Sequence, residues 1–189
     1  MTKDTSTKIL DVAEKLIITK GFNAFSYNDI SEVIGVKTAS IHYHFPTKED
    51  LSLAVVERFR KRFLESLNDI EDKESSGLKR IEKYGRAIVK AFDKGKGFCL
   101  CLSLASDEQT VPEKTSLVVS EFFKDSEKWI KASIIKGQSE EEINPNLDPK
   151  TTATSIVGLF EGTLVIARAY KSEKPLKDVI SWAKNILMI

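Results

Sequence analysis

The chain has 189 residues, 41% of them hydrophobic and 30% charged, and carries a formal net charge of +1 at pH 7. This composition excludes disordered, collagen-like and membrane-spanning proteins and is typical of a globular protein with a substantial core. Two cysteines, Cys99 and Cys101, are too few and too close together for a disulfide framework. Residues 1–8 are polar and lack the apolar stretch of a signal peptide, so we expect a cytoplasmic protein.

Apolar residues recur with a helical period of 3.6 along almost the whole chain, and no long stretch alternates with a period of two. The five prolines fall between the periodic stretches, where they can begin helices without interrupting them. The sequence therefore predicts an all-α protein of about nine helices.

Three short helices come first. The first runs from about residue 5 to residue 20. The second begins at Ser26, because Ser-Tyr-Asn-Asp has the spacing of a capping box, and it stops at Gly35. A third covers roughly residues 37–44, with Ile41 facing inward. The residues that we expect the second helix to bury are Ile30, Val33 and Ile34.

The fourth helix begins at a second capping box, Thr47-Lys48-Glu49-Asp50, and continues to about Leu67. Because no Gly- or Ser-rich linker precedes it, we expect both halves of the chain to share it. The helices predicted after the fourth helix span about residues 78–93, 100–108, 112–137, 149–171 and 175–187. The predicted domains are a three-helix domain over residues 1–48 and a helical bundle over residues 49–189.

Two short helices on either side of Gly35, joined by a three-residue turn, have the spacing of a helix-turn-helix. The second helix of such a unit is narrow enough to enter the major groove of DNA. The first 60 residues hold eight basic and eight acidic side chains, so bulk charge does not favour nucleic acid. Local geometry must supply the DNA contacts instead.

The most specific pattern in the chain is the run from Ser40 to Leu51, SIHYHFPTKEDL. Together with Phe25-Ser26-x-x-Asp29-Ile30 and Ile34-Gly35-Val36, it makes residues 9–56 resemble the DNA-binding domain of TetR/AcrR-type transcriptional regulators. The resemblance implies a homodimer with one DNA-reading head per subunit and an effector-binding C-terminal domain. It assigns DNA contacts to Ser26, Tyr27, Lys37, Thr38, Ala39, Ser40, His42, Tyr43, His44 and Lys48.

Within this set, the resemblance implies phosphate contacts for Tyr43, His44 and Lys48, and contacts to the DNA backbone for Ser26 and Tyr27. Two residues depart from the family pattern. Phe25 stands where a Thr is common, which removes a phosphate contact, and His42 replaces the more usual Tyr, which changes base preference.

Simpler roles are open for two of these side chains: His44 as a buried core histidine and Tyr43 as a packing residue. A metal site at His42 and His44 is disfavoured because residues two apart on a helix point to different sides. We expect neither a metal nor another cofactor.

The second half resembles one branch of the same family more loosely, over residues 97–170, through Cys99-Leu100-Cys101, Val111-Pro112 and Phe122-Phe123. This implies a ligand-binding domain. The packing of helical bundles predicts a pocket among helices four to eight. The alternatives are an ordinary core for the apolar residues, a solvated position at the dimer edge for Glu161, and a redox role for the two thiols. The predicted lining residues are Phe63, Tyr84, Ile88, Cys99, Cys101, Leu104, Phe122, Trp129, Phe160 and Glu161.

The last two helices carry apolar residues on more than one face, which predicts burial both in the core and against a partner subunit. Two glycines four residues apart allow a partner helix to approach closely. The predicted dimer residues are Ile156, Gly158, Gly162, Val179, Trp182, Ala183 and Ile186.

The function predicted from these patterns is a ligand-responsive repressor that a small-molecule effector releases from a palindromic DNA operator. An all-α enzyme is the main rival, but the chain has no phosphate-binding loop and no histidine besides His42 and His44. We therefore expect no enzymatic activity. A helical adaptor that uses the short helix pair to bind protein is the third alternative.

Overall fold

A computed structural model describes residues 4–92 and 98–188. Within those residues the chain forms nine helices and no strand, so the predicted all-α fold is confirmed. None of these helices is both long enough and apolar enough to cross a membrane. The helices are α1 (Thr5–Lys20), α2 (Tyr27–Ile34), α3 (Thr38–His44), α4 (Lys48–Lys73), α5 (Gly77–Phe92), α6 (Leu100–Ser106), α7 (Glu113–Ser139), α8 (Pro149–Tyr170) and α9 (Lys174–Leu187).

Contacts divide the chain into two units. Unit 1 contains the described residues of Met1–Arg62 and Cys99–Glu121, and unit 2 contains those of Phe63–Phe98 and Phe122–Ile189. Helices α4 and α7 therefore contribute residues to both units. The functional boundary between residues 48 and 49 stays a prediction.

Unit 1 is built on the apolar faces of its short helices. Helix α1 buries Ile9, Ala13 and Ile17, and α2 and α3 each bury one isoleucine, Ile30 and Ile41. The prediction that Val33 is buried is wrong, because its side chain is 65% exposed. Val33 lies about 60° round the helix axis from Ile30, and a helix of two turns that buries only a narrow stripe leaves this side chain at the edge of it.

Polar contacts tie α1 to α4 and α6 within unit 1. Arg58 on α4 donates to Asp11 at 2.9 Å and to Glu14 at 3.0 Å, both on α1. The backbone N–H of Phe22, just after α1, donates to the carboxylate of Asp107, just after α6, at 2.8 Å. These bonds hold the segment that leads into α2.

Unit 2 has its own hydrophobic core, formed by α5, α7, α8, α9 and the end of α4. Phe160 on α8 lies at its centre and is 1% exposed. Gly77, at the start of α5, touches the α7 backbone so closely that an added Cβ would lie 2.2 Å from the carbonyl oxygen of Ser133. Only glycine allows this approach without displacing a helix.

Candidate nucleic-acid interface

The start of α2 is held by a complete capping box. The Ser26 side chain accepts a hydrogen bond from the Asp29 N–H, and the Asp29 carboxylate accepts from the Ser26 N–H at 2.8 Å. Lys20 also donates to Asp29, at 2.6 Å. The hydrogen bonds from Lys20 and then from Ser26 hold the pKa of Asp29 well below its ordinary value of 3.8. The Ser26 hydroxyl thus orients α2.

The turn between α3 and α4 is held by Tyr27 on α2. Its hydroxyl lies 2.9 Å from the carbonyl oxygen of Phe45 and 2.6 Å from that of Thr47. Burial, with a smaller contribution from the charge of Asp50, raises the pKa of Tyr27 to about 12. The hydroxyl therefore remains protonated at physiological pH and serves as a donor to these carbonyl groups.

His42 on α3 contacts the same turn. Its ring lies against the ring of Tyr27, with centroids 4.6 Å apart and planes at 53°. Its Nδ1 lies 3.2 Å from the carbonyl oxygen of Pro46. Tyr27 and His42 together therefore contact three successive carbonyl groups, those of residues 45, 46 and 47.

The hydrophilic flank of α3 faces solvent. Tyr43 is 84% exposed, which excludes its role as a packing residue within the protomer. Lys37, Ala39 and Ser40 are also exposed, whereas Thr38 and His44 are half-buried, so His44 is not a fully buried core residue. An open groove of about 400 Å³ runs along this flank and is lined by Thr5, Val36, Ala39, Ser40, Tyr43 and His44.

Like Ser26 and His42, Tyr27 and Lys48 are predicted to touch DNA and have partners inside the protein. The Tyr27 hydroxyl is bound to the α3–α4 turn, as described above. The Lys48 ammonium donates to the Phe25 carbonyl oxygen at 2.7 Å and lies 4.8 Å and 4.2 Å from the ring centroids of Phe22 and Phe25. Both side chains therefore position parts of the protein, and their predicted contacts with DNA stay predictions.

The structure explains why a phenylalanine occupies position 25, where the family pattern commonly has a threonine. Phe25 is 3% exposed and packs edge-to-face on Phe22, with ring centroids 6.4 Å apart. Its ring also faces the Lys48 ammonium. The position has therefore become part of the core, and its backbone carbonyl rather than its side chain makes the polar contact.

Five of the predicted pocket residues form one aromatic cluster in unit 2. The ring centroids of Phe63 and Phe122 are 4.5 Å apart, and Tyr84 lies 5.6 Å from Phe160 and 6.1 Å from Trp129. Glu161, next to Phe160 on α8, is buried, so the solvated alternative for this carboxylate is wrong. Ile88 is half-buried against the same core.

The remaining predicted pocket residues, Cys99, Cys101 and Leu104, are buried in unit 1. Both cysteines are free thiols, and the Cys99 sulfur accepts a hydrogen bond from the Leu102 N–H at the start of α6. Their burial favours the interpretation of both side chains as small hydrophobic residues.

Two predicted dimer residues, Ile156 and Ala183, are 1% and 2% exposed and belong to the core of unit 2, so we remove them from the proposed surface. Apolar residues lie on more than one face of α8 and α9, so the sequence pattern did not show which face packs against the core. Val179 is half-buried against that core. Gly158, Gly162, Trp182 and Ile186 are exposed, and a Cβ added at either glycine would meet nothing in the protomer.

Our prediction missed two exposed apolar residues on α8, Val165 and Ile166. They follow Gly158 and Gly162 at the spacing of one helix face. That spacing was visible in the sequence, but which face of α8 the core would cover was not. We call the exposed set of Gly158, Gly162, Val165, Ile166, Trp182 and Ile186 the α8/α9 face.

Comparisons with known proteins agree with this geometry. Residues 9–55 match a family model described as bacterial regulatory proteins, tetR family, and residues 77–182 match one described as tetracyclin repressor-like, C-terminal domain. A TetR-family transcriptional regulator from Agrobacterium tumefaciens superposes with a TM-score of 0.93, at 28% identity, over 97% of both chains. A TetR transcriptional regulator from Legionella pneumophila is 34% identical over 98% of both chains, with a TM-score of 0.87.

A relative with a named role is the HTH-type transcriptional repressor DhaR of Mycobacterium sp. (strain GP1). It is 22% identical over 177 residues, which cover 92% of this chain and 87% of the relative. Both halves of the chain thus match transcriptional regulators of the same family.

Proposed function

The chain belongs to the TetR family of bacterial regulatory proteins, and on that basis we propose that it is a dimeric repressor which a small-molecule effector releases from a palindromic operator. The observation that carries the proposal is the exposed flank of α3, with Tyr43 84% exposed and the following turn held by Tyr27 and His42. Repression is supported by the name of the relative DhaR.

We propose that α3 enters the major groove, with base contacts along its middle and phosphate contacts towards its two ends. Ser40 and His42 face base edges, and Lys37, Tyr43 and His44 contact phosphates. Residues 1–48 bind DNA in this scheme, and residues 49–189 bind the effector and form the dimer. Ser26, Tyr27 and Lys48 act by holding α2 and the start of α4 in place.

The homodimer is supported by the α8/α9 face. Its exposed residues are apolar or glycine, and exposed apolar surface of this kind on one side of a helix pair is typical of subunit interfaces. In the simplest geometry, two α3 helices reach successive major grooves about 34–36 Å apart.

The effector site is supported by the aromatic cluster around Tyr84 and by the buried carboxylate of Glu161 in unit 2. An effector releases DNA only if it binds the DNA-free conformation more tightly than the DNA-bound one. A screen of aromatic small molecules tests this: an effector raises the Tm of the protein and lowers its affinity for the operator. We further propose that the protein works in the cytoplasm and has no enzymatic activity.

The proposal is tested by a gel-shift titration with the DNA that flanks the protein's own gene. We expect a discrete shifted band, removed by unlabelled operator, and an affinity that falls steeply with salt because phosphate contacts release counterions. The Tyr43→Ala variant should bind every sequence about tenfold more weakly, since it loses a hydrogen bond to a charged group.

The matched control is Leu117→Ala, which truncates an exposed residue of unit 1 on α7 and should leave affinity unchanged. An affinity that does not change with salt would contradict the phosphate contacts. The absence of any shifted band would favour the enzyme or the adaptor instead.

A further inference from the structure

We propose that His42 selects operator positions that carry an exocyclic amino group, on adenine or cytosine, because its Nε2 faces the major groove as a hydrogen-bond acceptor. The inference rests on the proposed function, since it concerns how the same surface chooses its DNA sequence.

The tautomer of His42 follows from its partner in the protein. Nδ1 lies 3.2 Å from the carbonyl oxygen of Pro46. A carbonyl oxygen can only accept a hydrogen bond, so Nδ1 must carry the proton and donate it. A neutral imidazole has a single N–H, and Nε2 therefore keeps its lone pair.

The orientation of the ring is held from two sides. The Tyr27 ring packs against one face of the imidazole, with centroids 4.6 Å apart. The Pro46 carbonyl belongs to a turn whose neighbouring carbonyl groups, at Phe45 and Thr47, both lie within hydrogen-bonding distance of the Tyr27 hydroxyl. Because the acceptor for Nδ1 is itself held in place, Nε2 points away from the turn before DNA arrives.

The position of His42 on α3 allows a base contact. The side chain is exposed and lies four residues after Thr38, so the two residues share one face of the helix. His42 is the fifth of the seven residues of α3, and it lies on the same face as Thr38, at the helix start from which recognition helices contact base edges. Tyr43, the next residue, is directed elsewhere by the helical rotation and remains available to phosphate.

The major groove offers a hydrogen-bond acceptor two kinds of partner. Adenine presents its N6 amino group and cytosine its N4 amino group, whereas guanine and thymine present only acceptor oxygens or nitrogen there. An Nε2 lone pair opposite guanine O6 or thymine O4 would leave two acceptors facing each other. His42 thus discriminates adenine and cytosine from guanine and thymine, which a tyrosine hydroxyl, able both to donate and to accept, would not do.

The experiment measures operator binding at pH 8. Each base pair of one operator half-site is substituted in turn, and affinities are compared for the wild type, His42→Phe and Tyr43→Ala. We expect one position at which the wild type prefers adenine or cytosine by about three- to tenfold, the worth of one hydrogen bond. His42→Phe should lose this preference, and Tyr43→Ala should keep it while binding all sequences more weakly.

A second arm uses the unaltered protein, so it does not depend on how a variant folds. At the His42-dependent position, adenine is replaced by purine, which lacks the amino group, or cytosine by 2-pyrimidinone. We expect the wild type to lose the same three- to tenfold factor, about one hydrogen bond, and His42→Phe to be insensitive.

Three results would overturn the inference: a preference for guanine or thymine at that position, a uniform loss of affinity in His42→Phe, or no response to removal of the amino group. Each of them leaves the proposed function intact, because the wild type would still bind its operator. Failure of the wild type to bind any flanking DNA would instead overturn the proposed function itself.

Discussion

Tyr27 and Tyr43 show how differently two side chains of one type are used in the same small domain. The Tyr43 ring is 84% exposed, whereas the Tyr27 hydroxyl reaches two backbone carbonyl groups of the α3–α4 turn. Tyr43 is therefore accessible to DNA, whereas Tyr27 holds the turn that follows the helix carrying Tyr43. Removing the Tyr27 hydroxyl therefore tests its hydrogen bonds to the α3–α4 turn and leaves the proposed DNA contact of Tyr43 unaltered.

We expect Tyr27→Phe to lower the free energy of unfolding by about 1 kcal/mol, because at least one hydrogen bond is lost and the ring contact with His42 remains. Operator affinity should fall as well, because the α3–α4 turn loses its hydrogen bond to α2. Urea unfolding followed by circular dichroism measures the first effect. Tyr170→Phe, at an exposed tyrosine, should change neither quantity, and equal stability of the Tyr27 variant and the wild type would contradict the assigned role.

Among the helices, α2 depends most visibly on its ends. Eight residues make only two turns, and a helix this short has little stability of its own. The reciprocal bonds of Ser26 and Asp29 satisfy backbone groups at its start, and Gly35, with φ of 72°, takes the left-handed conformation at its end. The orientation of α3 depends on α2, so these caps bear on DNA binding.

The Asp29→Asn variant should be less stable than the wild type at neutral pH. The folded-state pKa of Asp29 is depressed, so the ionised carboxylate stabilises the fold above its ordinary pKa of 3.8, and this contribution is lost as the pH falls below that value. The stability difference between the two proteins should therefore shrink as the pH falls from about 4 towards 2, as urea unfolding at several pH values would measure.

Glu32→Gln, which removes an exposed carboxylate from the same helix, is the control and should not reproduce this pH dependence. If the difference between Asp29→Asn and the wild type instead grew on acidification, the ionised capping box would not be the stabilising form.

For the assembled molecule, the decisive feature is the α8/α9 face. Trp182 is 53% exposed in the protomer, although tryptophan is a residue that proteins usually bury, and Gly158 and Gly162 present bare backbone beside exposed Val165 and Ile166. In the proposed dimer, an exposed indole stabilises the subunit interface through the apolar area that it removes from water. DNA binding at two half-sites would depend on that interface.

Trp182→Glu should therefore convert a dimer into a monomer, because it places a charge in an apolar contact. Sedimentation equilibrium measures the change, and operator affinity should fall with it because the two half-sites are no longer bound together. Ser181→Glu is the matched control: Ser181 lies on the same helix but lines the groove shared with α5, and its variant should remain dimeric. A dimeric Trp182→Glu variant would place the interface elsewhere.

Most helix boundaries and the helix-turn-helix were predictable because their signals are local. The predicted end of α4 at about Leu67 is wrong, because the helix continues to Lys73. Capping boxes, glycine stops and the apolar period lie within a few residues of the element they specify, and α1 begins and ends where the sequence indicated. The exposed flank of α3 followed from the same periodicity. The partners of Tyr27 and Lys48 were not predictable, since their acceptors lie 18 to 23 residues away along the chain.

By itself, the sequence determined that this chain is helical, where most of its helices begin and end, and that a short polar helix follows a glycine turn. Local hydrogen bonding and the helical period suffice for that. The tertiary structure alone decided which apolar faces are covered, exposing Val33 and Trp182 and burying Ile156 and Ala183. It also decided which polar side chains support α3 and which remain free, because both depend on the helices packed against each residue.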